Sequence, residues 1–294
     1  MRLVSYEQEG RVRPGFVVDG TVFDAQTLLS ARGVAPEASE LSMPTLLAAF
    51  AGRLPELATH LKDAQEIADA YVGGIAGVHL VPPVPNPGKV LCVGLNYNDH
   101  LTETGRALPS HPDIFAKFAS TLIGPRDAIQ LSEVTDNLDF EGELAVVIGK
   151  PARNLDQSEA LGAVAGLMVL NDVTARDLQY RGTQWIPGKC VDASTPCGPW
   201  IVTLDEIPDP QSLDLTTWVN DDVVQHSNTT YMIFPIAEIV SYISTFLTLQ
   251  PGDVIATGTP AGIGAKRQPP LWLRPGDEVR VEIEQVGSLS NAIR

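Results

Sequence analysis

The 294-residue sequence has no run of about 20 apolar residues, so it offers no candidate membrane-spanning helix. Its opening, MRLVSYEQEGRVRPG, lacks the apolar centre of a signal peptide, and a cytoplasmic protein is the expectation. Cysteine is scarce: Cys92, Cys190 and Cys197 form neither a CxxC pair nor a Cys/His zinc spacing, which argues against a disulfide framework. Cys92, inside KVLCVG, reads as a small core residue. Basic residues are also few. Twenty Lys and Arg against 36 Asp and Glu give a formal charge of -16, and the cations are scattered rather than gathered into a stripe. Nucleic acid and anionic membrane surfaces are therefore poor partners. A small anionic substrate stays admissible where a local cation or metal outweighs the overall repulsion. No internal repeat or low-complexity tract occurs.

What is present reads as a sheet-rich chain with a small module in front. LVSY, PGFVV and TVFDA are short β-like runs punctuated by turn pairs such as Asp19-Gly20. Residues 43–71 read as helical, with Pro55 able to start a helix on which Leu57, Leu61, Ala64 and Ile67 recur, and Gly73-Gly74 to stop it. The prolines of VHLVPPVPNPGKV then favour a stiff extended linker, placing a boundary near residues 75–86. Beyond it, KVLCVGLNY, ELAVVIGK, AGLMVLNDV, GPWIVT, TTWVNDDVVQ, GDVIATG and DEVRVEIEQV read as strands. PIAEIVSYISTFLTL is the clearest helix, with Ile236, Ile239, Val240, Ile243 and Phe246 on one stripe. Strands do not alternate with long helices, so the class is α+β, mostly β, rather than doubly wound. ATGTPAGIG follows a strand, but Pro269-Pro270 stands where a dinucleotide motif needs a helix, and a loop is the better reading.

Within DFEGELAVVIGK, Asp139, Glu141 and Glu143 occupy every second position, and the same parity continues as Ala145 and Val147. Residues two apart on a strand share a face at about 6.8 Å, close enough for two carboxylates to converge on one ion. Buried carboxylates do not stay ionised alone, so metal binding and a solvated strand end are the two readings. Asp172 closes the apolar run AGLMVLND and is either a third ligand or a helix N-cap for TARDLQ. Three hard oxygen ligands favour Mg2+, Mn2+ or Ca2+ over zinc. His100 and Glu103 are three apart, spaced either for a carboxylate-oriented general base or for an ordinary surface ion pair. Arg176, Gln179 and Lys189 offer donors for an oxyanion, or simply solvation of the surface.

In their order along the chain, GLNYNDHLTE, IFAKF, DFEGELAVVIGK, NDVTARDLQ, WIPGK with Asp192 and GPW, VNDDVVQ with NTTYMIF, and LQPGDVIATGTPAGIG resemble the fumarylacetoacetate hydrolase family over about residues 86–290. The leading module resembles the one carried by bacterial-type members. The resemblance implies a small N-terminal α+β domain, residues 1–80, and a catalytic domain, residues 81–294, whose mixed sheets roll into a β-sandwich or barrel-like body, usually as a homodimer. It makes Glu141, Glu143 and Asp172 ligands of Mg2+ or Mn2+, with Ca2+ a further candidate. It makes His100 and Glu103 a water-activating dyad on a closing segment, and Lys189 a catalytic oxyanion contact. Arg176, Gln179 and Thr259 carry over as substrate contacts; Asp139 does not carry over as a ligand. The implied activity is hydrolysis of the C–C bond of a 2,4-dioxo acid, an acylpyruvate or 2,4-diketo-3-deoxy sugar acid, to pyruvate and a carboxylic acid. Alternatives within the family are an oxaloacetate-type decarboxylase, a 2-hydroxyhepta-2,4-diene-1,7-dioate isomerase, a sugar-acid dehydratase and a ureidoglycolate lyase; outside catalysis, a metal-binding module. Cys190 and Val191 depart from the family pattern and leave the shape of the pocket open.

Overall fold

A computed structural model describes residues 1–36, 40–130 and 135–294. The chain is mostly β, built on one large mixed sheet and a four-stranded antiparallel sheet. The central path of the large sheet runs through Arg2–Gln8, Thr195–Thr203, Val164–Asn171, Gly142–Ile148, Val254–Ala256, Val90–Gly94 and Asp113–Lys117. Most neighbours are antiparallel, with Val254–Ala256 and Val90–Gly94 a parallel pair. The leading strands Arg11–Val18, Thr21–Asp24 and Tyr71–Gly74 continue the same sheet beyond Arg2–Gln8, whose Leu3 lies opposite Ile201. The small sheet comprises Asp222–Asn228, Asp214–Val219, Glu278–Ile283 and Gly287–Ala292.

Strand Gly142–Ile148 shows why this sheet needs covers on both sides. Successive side chains on a strand point to opposite faces. Ala145 and Val147 join the cluster formed with Leu28, Leu29, Leu46 and Leu47 of the leading module. Leu144, Val146 and Ile148 instead meet the helix Ile236–Phe246 and small-sheet residues such as Leu215, Val281 and Ile283. Every residue of the strand is buried, which explains the unbroken apolar run after Glu143. The helix buries Ile236, Ile239, Val240 and Ile243 as its stripe predicts, while Phe246, in its last turn, is 50% exposed.

Two local expectations are corrected. Residues 43–71 are not one long helix: Met43–Ala49 is α-helical, followed by the 3-10 turns Leu54–Thr59, Ala64–Glu66 and Ala68–Ala70. Left-handed backbone at Gly52 and Asp63 interrupts the path, and the recurrence of Leu57, Leu61 and Ala64 reflects burial against the sheet, not helical winding. TTWVNDDVVQ is likewise two strands, a hairpin turning at Asn220, which adopts a positive φ of 55°. Among the described residues no helix is long and apolar enough to cross a membrane, and the three cysteines are free thiols.

The close approach of the central strands sets a strict requirement at Gly166, where an added Cβ would lie 2.1 Å from Val202 O and 2.7 Å from Ile201 Cγ2. Gly166→Ala should therefore destabilise the protein by about 1–3 kcal/mol through forced backbone displacement, read as a lower urea midpoint.

Candidate active site

Glu141, Glu143 and Asp172 are drawn together by strand pairing. Gly142, between the two glutamates, lies opposite Asn171 on the neighbouring strand, and Asp172 N donates to Glu141 O at 2.8 Å. One carboxylate oxygen from each of the three acids falls within 4.8 Å of the others. All three are buried, so the solvated strand end is set aside. Asp139 is buried as well but stands apart from the triad. It accepts from Arg176 Nε at 2.7 Å and from the backbone of Phe140, Gly264 and Ala265.

The cations around these acids are as deeply buried. Arg176 donates through Nη2 to Glu141 Oε1 at 2.6 Å and through Nη1 to Gln179 Oε1 at 3.0 Å. Lys189, at the end of the short helix Ile186–Lys189, has its Nζ 2.7 Å from both Glu141 Oε2 and Asp172 Oδ2. The ammonium also lies 5.1 Å from the centre of the Phe115 ring. Lys117 completes the set: its Nζ donates to Asp172 Oδ1 at 2.7 Å and to Val173 O at 3.2 Å.

These contacts divide the two glutamates electrostatically. Burial alone would raise the Glu141 carboxyl, but Lys189 and then Arg176 outweigh it and hold the group down to about 2. Glu143 goes the other way: burial, then Asp172 and Glu141, push it well above the usual carboxylate range. Its one hydrogen-bond donor among the described residues is Gly258 N, at 2.8 Å from Oε2. Lys189 and Arg176 are themselves raised despite burial, because the acids they touch favour their charged forms. Four acids outnumber three cations by one, and Glu143 is the acid that none of these cations contacts. An all-oxygen donor set with that excess fits a hard divalent cation of the Mg2+, Mn2+ or Ca2+ type, which would supply the positive partner that Glu143 lacks.

Above the triad opens a cavity of about 450 Å³, lined by Glu141, Glu143, Lys189, Arg176, Thr259 and His100. His100 sits on the helix Asn98–Thr104, only 6% exposed, and its Nδ1 lies 3.2 Å from Glu103 Oε2. Glu103 Oε1 accepts from Gly262 N at 3.0 Å, so the pair is braced and is not a loose surface contact. With Nδ1 engaged, Nε2 is the nitrogen left for the cavity. Phe115 and Trp185 form an apolar wall, edge to face with ring centroids 5.3 Å apart.

The Gly-rich stretch after Val254–Ala256 has a different use from phosphate binding. Its backbone donors serve the site's carboxylates: Gly258 reaches Glu143, Gly262 reaches Glu103, and Gly264 with Ala265 reaches Asp139. Gly258 and Gly262 take φ of +100° and +104°, and a Cβ on Gly262 would lie 2.1 Å from Val224 O. Only glycine meets both demands without strain.

Each site residue singled out in the sequence therefore borders this cavity or touches one that does. Thr259 has its hydroxyl engaged within the protein, donating to Gly142 O at 2.9 Å and accepting from Gln225 Nε2 at 2.8 Å. Cys190 is half-buried beside Lys189, its Sγ 3.6 Å from Ala116 O. Two residues were missed. Lys117, in IFAKF, and Gln225, in VNDDVVQ, were not singled out, because their buried contacts exist only across the fold.

Mixed sheets carrying a buried carboxylate triad, with a braced His–Glu pair over the cavity, define a protein suited to chemistry on a small ligand at a divalent cation. A family model described as the C-terminal domain of fumarylacetoacetate hydrolase matches residues 89–294. A mitochondrial oxaloacetate tautomerase of Xenopus laevis is 44% identical over 220 residues, which is 74% of this chain and 69% of that protein. Fumarylacetoacetate hydrolase from the psychrophile Exiguobacterium antarcticum is 35% identical, with a TM-score of 0.82 over 100% of this chain and 99% of that one. A maleylpyruvate hydrolase from Sphingobium sp. SYK-6, solved in complex with manganese(II) ion and pyruvate, is 30% identical, with a TM-score of 0.78 over 100% and 98% of the two chains. The chain belongs to the fumarylacetoacetate hydrolase family.

Lys117 gives a direct check on the charge network. Lys117→Met would strip one ammonium from Asp172, whose side chain is fully buried. Asp172 keeps Lys189 but loses the donor to Oδ1, which should lower stability by about 1–3 kcal/mol, measured by urea unfolding.

Proposed function

We propose that the protein is a divalent-cation-dependent hydrolase that cleaves the C3–C4 bond of an acylpyruvate or related 2,4-dioxo acid, giving pyruvate and a carboxylic acid. One observation carries the reading: an imidazole braced by a carboxylate faces the cavity that Glu141 and Glu143 of the acidic triad also line. A cation bound by Glu141, Glu143 and Asp172 would supply Lewis acidity that orients the 2-oxo carboxylate and makes a C3 enolate an acceptable leaving group. His100 takes a proton from water, Glu103 stabilising the imidazolium, and the water oxygen adds to the C4 carbonyl. Lys189 has three N–H donors and gives two to Glu141 and Asp172, so one is left for the oxyanion forming at C4. Arg176 spends three of its five donors on Asp139, Glu141 and Gln179, leaving two for the substrate while it holds Gln179 in place. Thr259 stands on the cavity wall, and because its one hydroxyl proton goes to Gly142 O, its contact with the substrate carboxylate would use the backbone N–H. The C3–C4 pair of electrons then goes to C3, which is reprotonated to pyruvate, and the former C4 leaves as the carboxylic acid. A homodimer in the cytoplasm completes the reading; light scattering on the purified protein tests the first part.

A second reading has its own support. The 44% identity to an oxaloacetate tautomerase favours proton transfer without addition of water: the same imidazole would move a proton between C3 and the enol oxygen of a 2-oxo dicarboxylate. Incubation with Mg2+ or Mn2+ and a panel of acylpyruvates, 2,4-dioxo sugar acids, fumarylpyruvate and enol-oxaloacetate separates the two. Pyruvate plus a second acid carrying label from 18O-water indicates hydrolysis; loss of enol absorbance with no cleavage indicates tautomerisation; no turnover of any substrate defeats both.

Within the hydrolytic reading, His100→Ala should lower kcat by about 10²–10⁴-fold and leave Mn2+ affinity nearly unchanged by calorimetry. Retained turnover would remove His100 from the role of base. Chelation with EDTA should abolish activity, and added Mn2+ should restore it.

A further inference from the structure

Gln225 lies on strand Asp222–Asn228 of the small sheet, 2% exposed, and none of the steps above uses it. Both ends of its amide are committed. Oε1 accepts from Gly142 N at 2.9 Å, while Nε2 donates to Thr259 Oγ1 at 2.8 Å and to Pro260 O at 3.0 Å. An N–H at one end and a carbonyl at the other fix which way the amide points, since the flipped orientation would oppose donor to donor and acceptor to acceptor. Thr259 Oγ1 in turn donates to Gly142 O at 2.9 Å, closing a ring of hydrogen bonds around the residue that separates Glu141 from Glu143. The small sheet also presses on that residue: a Cβ on Gly142 would lie 2.3 Å from Thr217 Oγ1 and 3.0 Å from Val281 Cγ1.

We infer that Gln225 is a positioning residue of the site. It sets the stagger of the two glutamates through Gly142 and the placement of Thr259 and Pro260 on the cavity wall through Nε2, so the small sheet tunes cation affinity and substrate binding from outside the cavity. Its part in substrate binding rests on the function proposed above; its part in cation binding does not.

The test uses the full chain. Gln225→Met removes both ends of the clamp, and Gln225→Glu keeps an acceptor for Gly142 N while losing the Nε2 donors. The expected result for Gln225→Met is an Mn2+ Kd raised about 10-fold by calorimetry, within the range seen when groups supporting a ligand are removed, and a raised KM. Gln225→Glu should return the Mn2+ Kd toward the wild-type value while KM stays raised. A lower urea midpoint with Mn2+ Kd and KM both unchanged would show a merely structural amide and overturn the inference. Should Gln225→Met give no folded protein, Gln225→Asn replaces it, being one methylene too short to span the clamp, with the same expected and overturning results. If the wild type turns over no substrate but binds Mn2+, the functional reading fails and the Mn2+ measurements still decide the role of Gln225. If the wild type binds no Mn2+, both fail.

Discussion

Burying four carboxylates within one small region is the constraint around which the rest of the site is arranged. Asp139, Glu141, Glu143 and Asp172 would each be penalised by several kcal/mol if left ionised and alone in the interior. The fold answers with Lys117, Lys189 and Arg176, each contacting at least one of these acids at 2.7 Å or less. Two of these cations are shared between acids, Lys189 by Glu141 and Asp172 and Arg176 by Asp139 and Glu141. Asp172 is held by two lysines, Glu141 by a lysine and an arginine, and Asp139 by the same arginine and three backbone N–H groups. Glu143 receives the least compensation, and its carboxyl is the one pushed up. Reactivity at the site thus begins as an imbalance among charges that elsewhere are matched.

The loop after Val254–Ala256 does the remaining compensation with backbone rather than side chains. A main-chain N–H adds no charge and cannot swing away, so it fixes a carboxylate's direction without neutralising it. Glu143 and Glu103 are each aimed in this way, one on the floor of the cavity and the other behind the imidazole. A single loop therefore relates the triad to the His100 pair. The left-handed backbone at Gly258 and Gly262 is what turns successive N–H groups toward separate targets.

Much of this was legible in the sequence where the signal was local. The acidic row running into Ala145 and Val147 raised a buried charge as one of two readings, and the 3.6-residue stripe of Ile236, Ile239, Val240 and Ile243 announced a helix on a sheet. Motif order pointed to the family that the match over residues 89–294 shows. The failures have a common cause, since periodicity reports burial and not conformation. Leu57, Leu61 and Ala64 are buried with helical spacing, yet positive φ at Asp63 breaks any helix there. Lys117 and Gln225 were missed because a lone polar side chain on a short strand looks the same in sequence whether it meets water or an acid 55 residues away. The Gly-rich loop was separated from a nucleotide motif by the prolines that follow it, but the carboxylates its amides would serve are distant in sequence and left no mark nearby.

The pairing of Arg2–Gln8 with Thr195–Thr203 bears on how the polypeptide is made. Leu3 meets Ile201, so one edge of the first strand waits through synthesis of the intervening chain before its neighbour leaves the ribosome. Until then that edge presents unsatisfied backbone groups, the kind of surface that recruits other nascent strands. Leu80–Val81 pairs with Ser5 and Tyr6 farther along the same edge and is made much earlier, so the part that waits longest is confined to Arg2 and Leu3.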